Sequence, residues 1–111
     1  MKEQITIKKM KAIKEAVHNN KWDNNQTIAE LKELRELVKE QDPDPLVVKS
    51  LRLTYEYLEM NGKFNIQFLD DEEDLGMNDF EYLLELIGNA ENESNREELR
   101  EYVEAIKPLL A

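Results

Sequence analysis

The chain has 111 residues, of which 25 are Asp or Glu and 15 are Lys or Arg, so its formal net charge is −10 with the single histidine neutral. That length favours one domain spanning residues 1–111, able to bury roughly two thirds of its unfolded surface. A charge of this sign argues against direct contact with nucleic acid or an anionic membrane surface, and the absence of cysteine removes disulfides, thiolate metal sites and thiol nucleophiles.

In chain order, Met10, Ile13 and Val17 recur at helical spacing between residues 5 and 20, an amphipathic stripe. No apolar run follows Lys8 and Lys9, so neither a signal peptide nor a membrane span is expected and a cytoplasmic location is. The asparagines around Trp22 mark a break. Thr27 and Glu30 have the spacing of a capping box, placing a second helix after Thr27 with Ile28, Leu31, Leu34, Leu37 and Val38 inward. Asp42-Pro43-Asp44-Pro45 ends that helix and starts a third at about 45–61, with Asp44 as N-cap and Pro45 at the first helical position. The third helix is the most apolar and is expected to be central. Gly62 is its left-handed cap.

Phe64, Ile66 and Phe68 alternate, which predicts a short β-like or extended segment over 64–68. The one other β-like stretch is Gln4-Ile5-Thr6-Ile7, a candidate partner strand, although an extended segment pressed on the helices suits the pattern as well. After five consecutive carboxylates at 70–74, Asn78 caps a fourth helix at about 79–88 with Phe80, Leu83, Leu84 and Ile87 inward. Ser94 and Glu97 form a second capping-box pattern for a fifth helix carrying Leu99, Tyr102, Val103 and Ile106 as far as Pro108. The expected fold is all-α, about five helices around a single core.

Little in the chain resembles catalytic equipment. His18 follows Glu15 at the Glu-x-x-His spacing of di-metal bundles, but a lone histidine cannot complete such a site. At a helix end it is favoured by the negative dipole terminus. Counting Asp70 as position one gives a run with calcium-loop spacing through Glu81, yet Leu75 stands where glycine is required and Gly76 comes one residue late. No phosphate loop, nucleophile elbow or dinucleotide fingerprint occurs. The expectation is therefore a protein that is not an enzyme and has no cofactor or metal.

Charge placement is the strongest feature. Residues 1–22 hold six lysines and two acids, net +4, whereas residues 23–111 carry nine basic and 23 acidic residues, net −14. Within 70–104 there are 14 acids against Arg96 and Arg100 alone, net −12. A solvated face is the plain reading, with the lysines of the first helix relieving repulsion nearby. The sharper reading is a docking surface for a basic protein, as an inhibitor or an immunity- or antitoxin-type protein would have, because clustered charge steers association. The residues that would carry it are Asp70, Asp71, Glu72, Glu73 and Asp74, then Asp79, Glu81 and Glu85, each pairing with a partner's Lys or Arg. Tyr57 joins them as an aromatic expected to be exposed on the side of the third helix opposite Leu51 and Leu58. The alternative is a structural or assembly module that self-associates as a homodimer through the 64–68 segment or the apolar tail.

Overall fold

Asp44 accepts the Leu46 amide and Pro45 occupies the first turn, so the central helix starts where the sequence places it. The computed structural model describes residues 1–67 and 77–111. Those residues form α1 (Gln4–His18), α2 (Asn24–Gln41), α3 (Pro45–Asn61), α4 (Asp79–Gly88) and α5 (Glu93–Ile106), followed by a 3-10 turn at Lys107–Leu110. The fold is all-α, and the described residues include no strand.

The helices pack as a closed ring in which α1 touches α2 and α4, α2 touches α3, α3 touches α5, and α5 touches α4. A lighter α3–α4 contact crosses the ring. Each helix turns one apolar stripe inward: Met10 and Ile13 from α1, Leu31, Leu34 and Val38 from α2, Leu83, Leu84 and Ile87 from α4, and Leu99, Val103 and Ile106 from α5. The expectation for α3 holds, since Val47, Leu51, Leu53, Tyr57 and Leu58 are all buried and span more than one stripe. Inside the ring, Thr54 donates to the Ser50 carbonyl at 2.7 Å, which leaves its oxygen to accept from Tyr102 at 2.6 Å. Burial pushes the Tyr102 phenol above its ordinary range, and the Thr54 bond only partly opposes this.

Several local expectations are corrected. Gln4-Ile5-Thr6-Ile7 is helical, not extended. Asp42, a residue of the α2–α3 loop, accepts the amides of Lys2 (3.1 Å) and Glu3 (3.0 Å) and also the Thr6 hydroxyl. This remote carboxylate holds the two residues that lead into α1 and the Thr6 hydroxyl of its first turn, and that tertiary anchoring outweighs the β preference of two isoleucines around a threonine. The cap of α2 is Asp23, which accepts from Gln26, so the helix begins one turn before the predicted Thr27 box. Thr27 is buried and donates to the Asp23 carbonyl, while Glu30 binds Lys9. Likewise Asn92, not Ser94, caps α5. From the first turn so formed, the Asn95 side chain donates to the Asn89 carbonyl and the Arg96 side chain to the Ala90 carbonyl.

Residues 64–67 are neither helix nor strand, and the segment lies on the helices as the extended alternative has it. The Phe64 ring stacks on Phe80 at 4.8 Å and meets Tyr57 edge-on at 6.0 Å. Phe68 and the acidic run at 70–74 lie outside the described residues.

Two glycines lie at helix ends and are expected to respond oppositely to Ala. Gly62 has φ +77°, a left-handed conformation that strains any Cβ, so Gly62→Ala is expected to cost about 1 kcal/mol. At Gly88, the last residue of α4, an added Cβ would meet only the Met10 side chain at ordinary contact distance, 3.5 Å. Gly88→Ala is expected to be neutral or to stabilise by up to about 1 kcal/mol. Thermal melts of the two variants read the difference directly.

Candidate functional site

The ring places α1, the basic helix, beside acidic α4, and much of their charge is used within the fold. The Lys14 ammonium lies 2.8 Å from Glu85, and His18 Nδ1 lies 2.8 Å from Glu81. These pairs line a cleft of about 260 Å³ between α1 and α4 whose walls also include Lys11, Glu15 and Met77. On the other side of α1, Lys9 binds Glu30 and, at 2.6 Å, Glu33 of α2. Burial alone would lower the Lys9 pKa, but the two carboxylates outweigh it and hold it above the ordinary lysine value.

Glu81 has a second duty. Its amide donates to Asn78 and its carboxylate accepts the Asn78 amide, a reciprocal capping box that starts α4. Glu85 also accepts from Asn89 at 3.3 Å. Asp79 is half-buried in the first turn of α4, where its charge complements the helix dipole, and it too is engaged in an interaction. Of the expected contact residues, Asp79, Glu81 and Glu85 are thus brought together on one short helix, but with structural tasks of their own. Asp70, Asp71, Glu72, Glu73 and Asp74 lie outside the described residues.

Tyr57 is not a surface anchor. It is only 6% exposed. Its place on α3 aligns it with Leu53, Thr54 and Ser50, all buried, so the side of α3 away from Leu51 faces other helices and the Phe64 ring rather than solvent. An aromatic on a helix that contacts three others has little solvent face left to occupy.

The face that sequence reasoning did not single out is the outer side of α5. Glu93, Glu97, Glu101 and Glu104 follow one another at four-, four- and three-residue intervals, and all are exposed. Arg100 approaches Glu93 at 3.5 Å and Lys107 binds Glu104 at 3.0 Å, while Glu97 and Glu101 have no ion-pair partner among the described residues. Like charges one turn apart each cost a few tenths of a kcal/mol, which Arg100, three residues from Glu97 and four from Glu104, partly offsets. The stripe's spacing is readable in the sequence, where the denser run at 70–74 draws attention first.

A second charged centre is structural. Arg96 forms a two-pronged contact with Asp44, at 2.7 and 3.1 Å, tying α5 to the first turn of α3. Arg96 holds the Asp44 carboxyl below its ordinary range against the opposing effect of burial. For Asp42, burial pushes upward, but the bonds from Thr6, Glu3 and Lys2 outweigh it and its pKa is lowered as well.

Among the described residues, no group of three or more His, Cys, Asp or Glu is arranged to hold a metal ion, and no helix is long and apolar enough to cross a membrane. His18 and Glu15 share a face of α1 at the spacing noted above, but the structure joins His18 to Glu81. Comparison with protein-family models, curated proteins and solved structures finds no significant match.

Proposed function

We propose that this chain is a small interaction protein, binding rather than catalytic, that engages a basic protein through its acidic surface as an inhibitor or an immunity- or antitoxin-type protein would. The observation that carries the reading is the α5 stripe. Glu97 and Glu101 stand at the centre of a solvent face and have no ion-pair partner among the described residues. The α4 carboxylates support the reading less, since Lys14 and His18 already occupy Glu85 and Glu81. The acidic run at 70–74 adds to the same sign of charge along the chain. Clustered charge of this kind speeds encounter with a cationic partner and is screened by salt.

The test is capture from cell extract on immobilised protein, with bound species identified by mass. A basic protein should be retained at about 0.05 M salt and released near 0.5 M, where the screening length shrinks to a few ångströms. Replacing Glu97 and Glu101 with Gln, together with Asp70–Asp74 by Asn and Gln, should abolish retention while helix content stays unchanged. If that variant captures the same proteins as the wild type, the acidic surface is not the binding face.

A further inference from the structure

Among the described residues, three of the four exposed large apolar side chains lie near the two ends of the chain: Ile5 (50% exposed) and Ile7 (38%) on α1, and Leu109 (51%) in the 3-10 turn after α5. On α1 the two isoleucines border a solvent face centred on Lys8 and Lys11, which are exposed and have no ion-pair partner among the described residues. The fold pairs Lys9 and Lys14 with carboxylates of α2 and α4, whereas Lys8 and Lys11 form no such pair, Lys11 standing where the solvent face meets the α1–α4 cleft. On α5 the corresponding unassigned charges are Glu97 and Glu101.

Within one chain the two faces cannot neutralise each other. Both α1 and α5 pack against α4, on separate sides of it, and they make no contact with one another. A basic, isoleucine-edged helix face and an acidic one are therefore both presented to solvent by the same molecule. We infer that the α1 face is a docking surface for the α5 face of a second copy of this chain. Charge complementarity selects that occupant: Lys8 and Lys11, about one turn apart, meet Glu97 and Glu101, also one turn apart. A two-fold arrangement makes the contact twice and closes, whereas a head-to-tail one continues into chains. At physiological salt, repulsion between two copies of net charge −10 is screened beyond about 8 Å, while opposite charges in contact are screened much less.

This contact is separable from capture of a basic partner, because Lys8 and Lys11 take part in the first alone. Sedimentation equilibrium of the purified full chain at physiological salt tests it. The wild type should shift from monomer to dimer or longer assemblies as concentration rises. Lys8→Glu with Lys11→Glu should weaken association at least about tenfold, as loss of one or two close charge pairs does, and Glu97→Lys with Glu101→Lys should do the same. An equimolar mixture of the two variants should associate again, since each then offers the charge that the other lacks. All four positions lie on exposed faces, and circular dichroism checks that the variants keep their helix content. A wild type that stays monomeric overturns the inference. So does charge reversal without effect, or a mixture that fails to restore association. The Lys8/Lys11 variant should still capture a basic protein, so failure here is distinguishable from failure of the proposed function.

Discussion

Asp44→Ala is expected to destabilise the fold by about 2–3 kcal/mol, a fall of roughly 8–12 °C in melting temperature for a chain of this size. The substitution removes two things at once. The Leu46 amide loses its cap acceptor, and the Arg96 guanidinium, three-quarters buried, loses its carboxylate. Asn at the same position keeps a good cap but carries no charge, so Asp44→Asn should cost about half as much. A double-mutant cycle isolates the pair: Arg96→Ala should cost clearly less in the Asp44→Ala background than in the wild type. Equal costs in the two backgrounds would mean that the contact contributes no coupling.

Acid should act on the same loop. Asp42 and Asp44 both have folded-state pKa values below the ordinary carboxylate range. A group lowered in the folded state contributes stability that is fully present above the unfolded value, near about 3.9, and that is lost as pH falls through the folded value. The wild type should therefore lose stability below about pH 5 more steeply than an Asp42→Asn, Asp44→Asn variant. Parallel slopes in urea titrations at several pH values would show that these carboxylates are not responsible.

Leu84→Ala is the larger effect, about 3–4 kcal/mol. Helix α4 has ten residues, shorter than the roughly 12–15 an isolated helix needs in water, so packing holds it rather than propensity. Leu83, Leu84 and Ile87 are fully buried, and α4 is the element that closes the ring between α1 and α5. Truncating Leu84 removes transfer free energy and leaves a cavity that rigid neighbours on both sides cannot fill. Hydrogen exchange should accelerate most at the α4 amides, and chemical denaturation gives the total. As a control, Met60→Ala, at a side chain 60% exposed, should change stability by less than about 0.5 kcal/mol. A cost below about 1 kcal/mol for Leu84→Ala would show that α4 is not held by its apolar face.

The apolar stripes are legible because helical periodicity is a local property that survives in any surroundings. One correction concerns Leu37, expected inward on α2: it is half-exposed among Glu33, Glu36 and Glu40 because it lies at the edge of the Leu31, Leu34, Val38 stripe. Equally legible are Asp44-Pro45 and Asn61-Gly62 at the ends of α3 and Asn78 at the start of α4, where the chemistry lies within a few residues. The entry to α1 is ambiguous in sequence because it is held at a distance, by a carboxylate from residue 42, whereas α2 and α5 each offer two competing local caps and use the earlier one, Asp23 and Asn92. Tyr57 was misjudged for a related reason: one helix's pattern does not show how many neighbours that helix will have. The same holds for the candidate site. The excess of acid over 70–104 is plain in the sequence, but its division into carboxylates held by Lys14 and His18 and those left unpaired on α5 is not.

The sequence by itself determined the helix count, the inward stripes and the separation of a basic N-terminal helix from an acidic remainder, all of which depend on spacing along the chain. Only the tertiary structure decided which of those charges are neutralised. Ion pairing depends on which helices become neighbours, and the ring sets α1 against α2 and α4 while keeping it apart from α5.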